Sequence, residues 1–269
     1  MSIIIPQYLA ATAAFFLLGG LFSLAEWRWP LRPMNHRRGL GLNVLGFLWS
    51  WHLSNAVILL GQSALQGWAP RPELDGVPGA LRGVAFFVAA DFFKYAVHVL
   101  MHTRWLWPVH RFHHSPEQLW WFAGNRASAA HVVLHFLPTV ALSWLLAVPP
   151  SWVMLNAGIN LLWNHVMHAN VAWPAALQRP LEWVLVTPRY HHVHHARAPE
   201  LLGTNFASVL TLWDRLFGTA VSPERMAEGT PFGVDEPLPP LVHLMTGVTN
   251  TSPWSGHDNA PGQQPRGRR

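Results

Sequence analysis

The sequence predicts an all-α integral membrane protein, in which about four to five apolar spans form a helical bundle that carries a cytoplasmic, histidine-rich helical cap. Composition is the first reason: the 269 residues are 51% hydrophobic and only 12% charged, about half the ~25% charge of ordinary soluble domains. Long apolar runs separated by short basic or aromatic segments are the second. The third is a set of histidines repeated at helical spacing near the ends of these runs.

The composition also excludes several function classes. The formal charge of +5 does not indicate a nucleic-acid partner, because the arginines separate apolar runs and form no recognised binding motif. The absence of cysteine excludes thiolate ligands, disulfides and a cysteine nucleophile. Any metal must therefore be held by nitrogen and oxygen ligands. Imidazole-rich sites suit iron, zinc, copper or nickel, so ligand type alone does not choose the metal.

Three apolar runs begin the chain. Residues 3–24 provide the ~20 residues that a helix needs to cross a bilayer, and no basic segment precedes them, so we expect a retained span and not a signal peptide. The following arginine-rich loop is predicted to be cytoplasmic by the positive-inside rule. Runs at residues 41–65 and 80–101 then cross outward and back, which brings His98 and His102 to the cytoplasmic edge.

The middle of the chain adds an interfacial segment and a hairpin. Residues 103–126 are polar and aromatic, and we expect their tryptophans to lie along the membrane interface. Two apolar stretches within residues 127–171 meet at a Pro-Pro turn and return His165 and His168 to the same side. A buried helical pair that does not fully cross the bilayer would give the same result.

The more polar residues after position 173 predict a cap of short helices. A Thr-Pro pair favours a helix start just before residues 190–196. Of the four histidines in this helix, His192 points ~100° away from the face that the other three share, and we exclude it as a ligand. We divide the chain into a membrane-embedded domain with its cap, residues 1–220, and a C-terminal extension, 221–269, whose end has too little apolar surface to fold.

A metal site is the main interpretation of the histidine pattern. An HxxHH pattern occurs twice, and an HxxxH pair precedes it on a helical stripe that begins at Asp91 and Tyr95. Spacings of three and four place such side chains on one helix face. The candidates exceed the ~4 ligands of a structural zinc ion and suggest two metals. They are His98, His102, His110, His113, His114, His168, His191, His194 and His195.

Two other functions would use the same cluster. A membrane zinc hydrolase would require a carboxylate base near the metal, as in an HExxH string, and no such string occurs here. A metal-handling membrane protein would require ligands spread along a path through the bilayer, whereas these gather on one side. Both alternatives stay open at this point.

The strings HVLMH, HRFHHS, NHVMHAN, TPRYHHVHHA and WDRLFGT, within residues 91–219, resemble the fatty acid hydroxylase or sterol desaturase superfamily. The resemblance implies two iron ions that activate O2 to hydroxylate or desaturate a C–H bond of a fatty acyl, sterol or related lipid. It also implies a separate electron donor, either a cytochrome-b-type protein or a ferredoxin with its reductase. Val99 and the Asn-Phe-Ala sequence at 205–207 depart from the usual family residues. These departures leave the subfamily and the substrate open.

The resemblance carries the nine candidate ligands over by position and adds supporting residues. Asp91 matches a recurrent acid of the family and is expected to accept a ring N–H and fix a tautomer. Tyr95 lies on the same stripe, and Asp214 within WDRLFGT is expected to clamp the cap helices, bind a partner or close the site. His131 and His165 are expected to be extra ligands, pocket residues or ordinary packing residues.

Overall fold

Helices make up the regular structure of residues 4–68, 70–74 and 76–248, which this computed structural model describes. Within those ranges the only β-type pairings are isolated bridges between single residues, so the predicted all-α class is confirmed. Three short 3-10 helices, Ala123–Asn125, Pro199–Leu201 and Pro223–Arg225, separate longer elements. The α-helices are α1 (Ile4–Arg28), α2 (Leu40–Trp68), α3 (Gly79–Met101), α4 (Trp107–His114), α5 (Ala129–Leu145), α6 (Pro150–His168), α7 (Ala175–Leu181), α8 (Pro188–His194), α9 (Leu212–Leu216) and α10 (Leu241–Thr246).

Helices α1, α2 and α3 are long and apolar enough to cross a membrane. Helix α5 is apolar but has only 17 residues, fewer than the ~20 that span a bilayer. It turns back into α6 through Ala147, whose φ is 45° and whose carbonyl accepts a hydrogen bond from Arg82 at 2.7 Å. The predicted hairpin is therefore present, and its first helix is shorter than a full span.

The predicted interfacial position of Trp120 and Trp121 is wrong. Both side chains are buried, at 8% and 6% exposure, in a cluster with Phe15 and Phe47. The Trp121 indole fills the space beside Gly19, where any Cβ would overlap the ring, and its N–H donates to the Ser23 hydroxyl at 2.8 Å. Close approach to α1 therefore removes these rings from the interface.

The cap consists of α7 to α9 and their connections. Helix α8 begins at Pro188, two residues before the predicted start, because the Thr187 hydroxyl accepts the N–H of Tyr190 and caps it. Arg189 bridges Glu182 and Glu224 at 2.7 and 3.1 Å. These contacts join α8 to the segments on either side of it.

The described part of the predicted C-terminal extension packs back on the cap and on α4. Leu244 of α10 is buried, and Gly247, with φ 77°, lies directly against Ser128 and Val109. Phe232 is buried beneath the guanidinium of Arg32, whose carbon lies 4.4 Å from the ring centre. The final Pro- and Gly-rich stretch, predicted to be unfolded, lies outside the described residues, and the division at position 220 stays a prediction.

Candidate metal centre

The nine predicted histidines converge on two adjacent groups. In each group every residue offers one ring nitrogen, and these nitrogens lie within 4.8 Å of one another. All nine side chains except the half-buried His102 are buried. The first group contains His98, His102, His110, His114 and His194, and the second contains His113, His168, His191 and His195.

Helices α4 and α8 each supply both groups, which the sequence pattern did not reveal. Helix α4 gives the outer two histidines of its HxxHH string to the first group and the middle one, His113, to the second. Helix α8, with its C-terminal neighbour His195, does the reverse, because only its middle histidine, His194, joins the first group. The spacing of the histidines predicts that each triplet shares one helix face. In the structure that face lies between the two groups and contributes to both.

Ring nitrogens of the second group face one another without a hydrogen to share. The Nδ1 atoms of His113 and His168 lie 3.2 and 2.9 Å from the carbonyl oxygens of Arg126 and Asn164. A carbonyl can only accept, so each Nδ1 must carry the proton and each Nε2 must present a lone pair. These two Nε2 atoms are 3.3 Å apart. Two lone pairs at this distance repel each other, and a cation bound by both nitrogens would relieve that repulsion.

Two rings of the first group likewise carry the proton on Nδ1 and a lone pair on Nε2. The Nδ1 atoms of His98 and His194 lie 2.7 and 2.8 Å from the carbonyl oxygens of Phe206 and Thr204. The Nε2 atoms of all five members are buried, and none has a hydrogen-bond partner among the described residues. Outer acceptors that fix the ring tautomer in this way are typical of histidines that bind a metal.

Electrostatics keep these rings neutral. Burial, followed by neighbouring imidazoles, holds the pKa of His113, His114 and His191 well below the usual 6.5. The neutral imidazole is the form that binds a metal ion. The nine rings therefore present a set of nitrogen lone pairs to two small volumes.

Asp91 does not accept a histidine N–H, contrary to expectation. Its carboxylate accepts the backbone N–H groups of Val209 and Leu210, both at 3.1 Å, and the indole N–H of Trp213 at 2.9 Å. The acceptor for the His98 ring is a backbone carbonyl instead. Asp91 thus holds the segment before α9 against α3.

Asp214 supports the first group through that carbonyl. It accepts the backbone N–H groups of Phe206 and Ala207 at 2.8 and 2.9 Å, and it also accepts hydroxyl hydrogens from Tyr190 and Thr219 at 3.1 and 2.7 Å. Tyr95 reaches the same clamp, because its hydroxyl lies 3.0 Å from that of Thr219. Asp214 therefore fixes the peptide whose carbonyl orients His98.

Three further histidines, His131, His165 and His192, lie outside both groups. The Nδ1 atom of His131 is 3.2 Å from that of His110, so His131 supports a member of the first group. His165 donates to the Leu161 carbonyl at 2.8 Å and stacks on Trp121, with the ring centres 5.0 Å apart. The ring of His192 packs against Phe232 and joins neither group.

Sequence reasoning missed the acceptors that orient these rings. Most of them are main-chain carbonyls, and no residue type signals a carbonyl. It also missed Lys94, a buried lysine of α3 whose ammonium contacts the Asn160 amide oxygen on α6. In the part of the chain that the structure describes, neither metal-binding group includes a carboxylate.

Comparison with known proteins agrees with this geometry. A sequence model described as fatty acid hydroxylase matches residues 83–219, which is about half of the chain. The chain is 27% identical to an alkylglycerol monooxygenase from Xenopus tropicalis over 87% of its own length and 51% of that protein. It is 30% identical to the human alkylglycerol monooxygenase, over 61% of the chain and 37% of the relative. An ornithine lipid hydroxylase, OlsE, from Rhizobium tropici is 31% identical over 56% of the chain and 45% of the relative.

The chain thus spans about half the length, or less, of these relatives. No solved structure matches it.

Proposed function

The chain belongs to the fatty acid hydroxylase family, and from this premise we propose that it is a membrane-bound, O2-dependent oxidoreductase that hydroxylates or desaturates a C–H bond of a lipid. Two iron ions are its cofactors in this proposal, one in each histidine group. O2 is the co-substrate. The membrane supplies the lipid, and a separate electron donor, a cytochrome-b-type protein or a ferredoxin with its reductase, supplies the reducing equivalents.

The observation that carries this proposal is the pair of facing Nε2 atoms of His113 and His168. Neither atom can donate, because each ring gives its N–H to a carbonyl. Burial then makes a bound cation the arrangement that resolves the repulsion. The five unpartnered Nε2 atoms of the first group extend the same argument to a second ion.

Iron bound in these groups would supply the O2 chemistry, and the chain's own residues would supply everything around it. The nine histidines would hold the metal through nitrogen alone. The carbonyls of Phe206, Thr204, Asn164 and Arg126 would keep the rings oriented. The packed elements of the bundle and the cap would exclude bulk water from the reacting carbon.

The lipid class is proposed from the kinds of relative that match. These include relatives named alkylglycerol monooxygenase, ornithine lipid hydroxylase and methylsterol monooxygenase, and each of these names denotes a lipid substrate. The apolar helices α1 to α3 suit a substrate that stays in the bilayer. We place the centre on the cytoplasmic side because the arginine-rich loop after α1 favours that orientation.

The test is the metal content and O2 consumption of the detergent-purified protein. We expect about two iron ions per chain, consistent with two groups of histidine ligands, and O2 uptake that requires both a reductant and a lipid. Stoichiometric zinc without O2 uptake under reducing conditions would overturn the proposal and indicate a hydrolase. Metal bound without any lipid-dependent turnover would indicate a metal-handling protein.

A further inference from the structure

One face of the cap is apolar and faces away from the protein. We call it the cap face and define it by five exposed side chains on α9 and on the segment after α7. Their exposed fractions are 68% for Trp183, 58% for Val184, 49% for Leu212, 65% for Leu216 and 53% for Phe217. Residues 184 and 211 are hydrogen-bonded to each other through the backbone at 3.1 Å, so the two segments form one continuous surface. A contiguous apolar surface of this kind marks an interaction site.

The depth of this surface follows from its contacts with α3. The 23 residues of α3 span ~35 Å at ~1.5 Å per residue, only slightly more than the ~30 Å of the hydrocarbon core. If α3 crosses the bilayer, little more than ~5 Å of it can project. Asp91 lies ten positions before Met101, or ~15 Å along the axis. Asp91 binds residues 209, 210 and 213, so this part of the cap lies below the membrane surface.

The aromatic contacts of α9 agree with that depth. Phe217 stacks on Tyr95 with the ring centres 5.5 Å apart, and Trp213 lies 5.1 Å from Phe92. Both partners lie in the second half of α3, six and nine positions before Met101. The cap face therefore continues the outward surface of α3, on which Phe93 is 41% exposed.

Several backbone N–H groups of this region have protein acceptors, as a location away from water requires. An irregular segment in a bilayer needs a protein partner for each of its peptide groups. Asp91 accepts the N–H groups of residues 209 and 210, and Asp214 accepts those of residues 206 and 207. The N–H of Val186 donates to the Val209 carbonyl at 2.9 Å. Two carboxylates thus accept the backbone N–H groups that water would accept from in a surface loop.

Arg215, a cation on α9, is held by two contacts. The guanidinium carbon of Arg215 lies 4.0 Å from the centre of the Trp183 ring, and one of its N–H groups donates to the Glu182 carbonyl at 2.7 Å. An arginine at the edge of a membrane extends its charged end toward water in this way, while its stem stays in apolar surroundings.

We propose that the cap face is inserted in the bilayer, in the leaflet that carries the cap, with lipid acyl chains as its occupant. The cap is then an in-plane anchor that does not span, and Asp91 and Asp214 are the buried acceptors that permit it. This inference rests on the proposed membrane placement of α1 to α3. It does not depend on which reaction the centre performs.

The absence of cysteine makes a direct test available. We would prepare Trp183→Cys, Leu212→Cys and Leu216→Cys in the full chain, attach a nitroxide label, and reconstitute each variant in phosphatidylcholine vesicles. The measurement is the collision of each label with O2, which concentrates in lipid, and with a nickel chelate, which stays in water. Leu17→Cys on α1, where the side chain is 72% exposed, is the lipid reference. Glu200→Cys, at an exposed charged position, is the water reference.

We expect the three cap-face labels to behave like the label at position 17 and to collide more with O2 than with the nickel chelate. The label at position 200 should show the reverse. Cap-face labels as accessible to nickel as Glu200, with Leu17 in lipid, would overturn this inference alone and indicate a surface for a soluble partner. Labels shielded from both reagents would also overturn it, because they would indicate a protein interface. A Leu17 label in water would overturn the membrane placement as well.

Discussion

The two histidine groups are oriented by different kinds of structure. In the first group, the rings of His98 and His194 depend on carbonyls of the irregular segment 204–206, which is itself held by Asp214. In the second group, His168 donates to the carbonyl of Asn164, one turn back in its own helix. In the second group, His168 is therefore oriented by local helix geometry and His113 by the more distant Arg126 carbonyl, whereas both rings of the first group depend on a loop that must be fixed by tertiary contacts. The difference indicates where each centre is vulnerable.

The largest effect is expected from His168→Ala. This substitution leaves three imidazoles to bind an ion in the second group, whereas His114→Ala leaves four in the first group. We expect His168→Ala to lose about one ion per chain and nearly all lipid-dependent O2 uptake. Loss of an outer hydrogen-bond partner lowers metal affinity or activity ~10–100-fold, and loss of a ligand should lower them further. His114→Ala should keep more of its metal. Metal analysis of the two variants checks this order, and equal losses would contradict it.

Gly124→Ala should disturb the second group without removing a ligand. A Cβ at this position would overlap the His168 ring, and the ring cannot retreat while its N–H stays on Asn164. We expect metal affinity in this group to fall ~10–100-fold, as for loss of an orienting contact. Gly158→Ala is the matched control on α6, because its Cβ would meet no atom within 4 Å. Titration of the metal-free proteins with ferrous iron distinguishes them, and similar affinities would count against a packed His168.

Asp214→Asn tests the dependence of the first group on its loop. The amide keeps the shape but replaces one acceptor oxygen with a donor, so one of the backbone N–H groups at residues 206 and 207 loses its partner. We expect a loss of ~1–3 kcal/mol in the free energy of unfolding and weaker metal binding in the first group only.

The control for Asp214→Asn is Asp235→Asn, whose side chain is 71% exposed in its pair with Arg197 and should contribute little. Chemical denaturation and iron titration measure both effects. Weakened metal binding in both groups would show that the loop does not act on the first group separately.

The smallest effect on metal is expected from His192→Ala. This ring packs against Phe232 and belongs to neither group, so both ions should remain bound. Loss of a buried side chain still costs ~0.5–3 kcal/mol of stability, which a lower melting temperature would report. His194→Ala, two positions away, should lose metal from the first group. Metal loss in His192→Ala equal to that in His194→Ala would show that the position of His192 is misassigned.

The sequence predicts the ligand types well and their partition poorly. Apolar runs predict α1 to α3, and the spacing of three and four separates His192 from its neighbours in α8. The division of each HxxHH string between two groups depends on how α4 and α8 face each other, and this is a tertiary property. The family resemblance predicts a ring contact for Asp91, which lies on the stripe of His98, but that stripe also faces residues 209–213. Backbone carbonyl acceptors leave no signal in the side-chain sequence.

The repeated HxxHH string also sets the distance between the two histidine groups. In each string the first and last histidines belong to one group and the middle histidine belongs to the other. The string on α4 gives its first and last histidines to the first group, and the string that begins on α8 gives them to the second. The step between outer and middle histidine is three residues in both, a rise of ~4.5 Å. Two helical rods with the same histidine spacing thus set the separation of the two groups. An insertion in either rod would change that separation, whereas an insertion in the loops that join the rods to the rest of the chain would leave it unchanged.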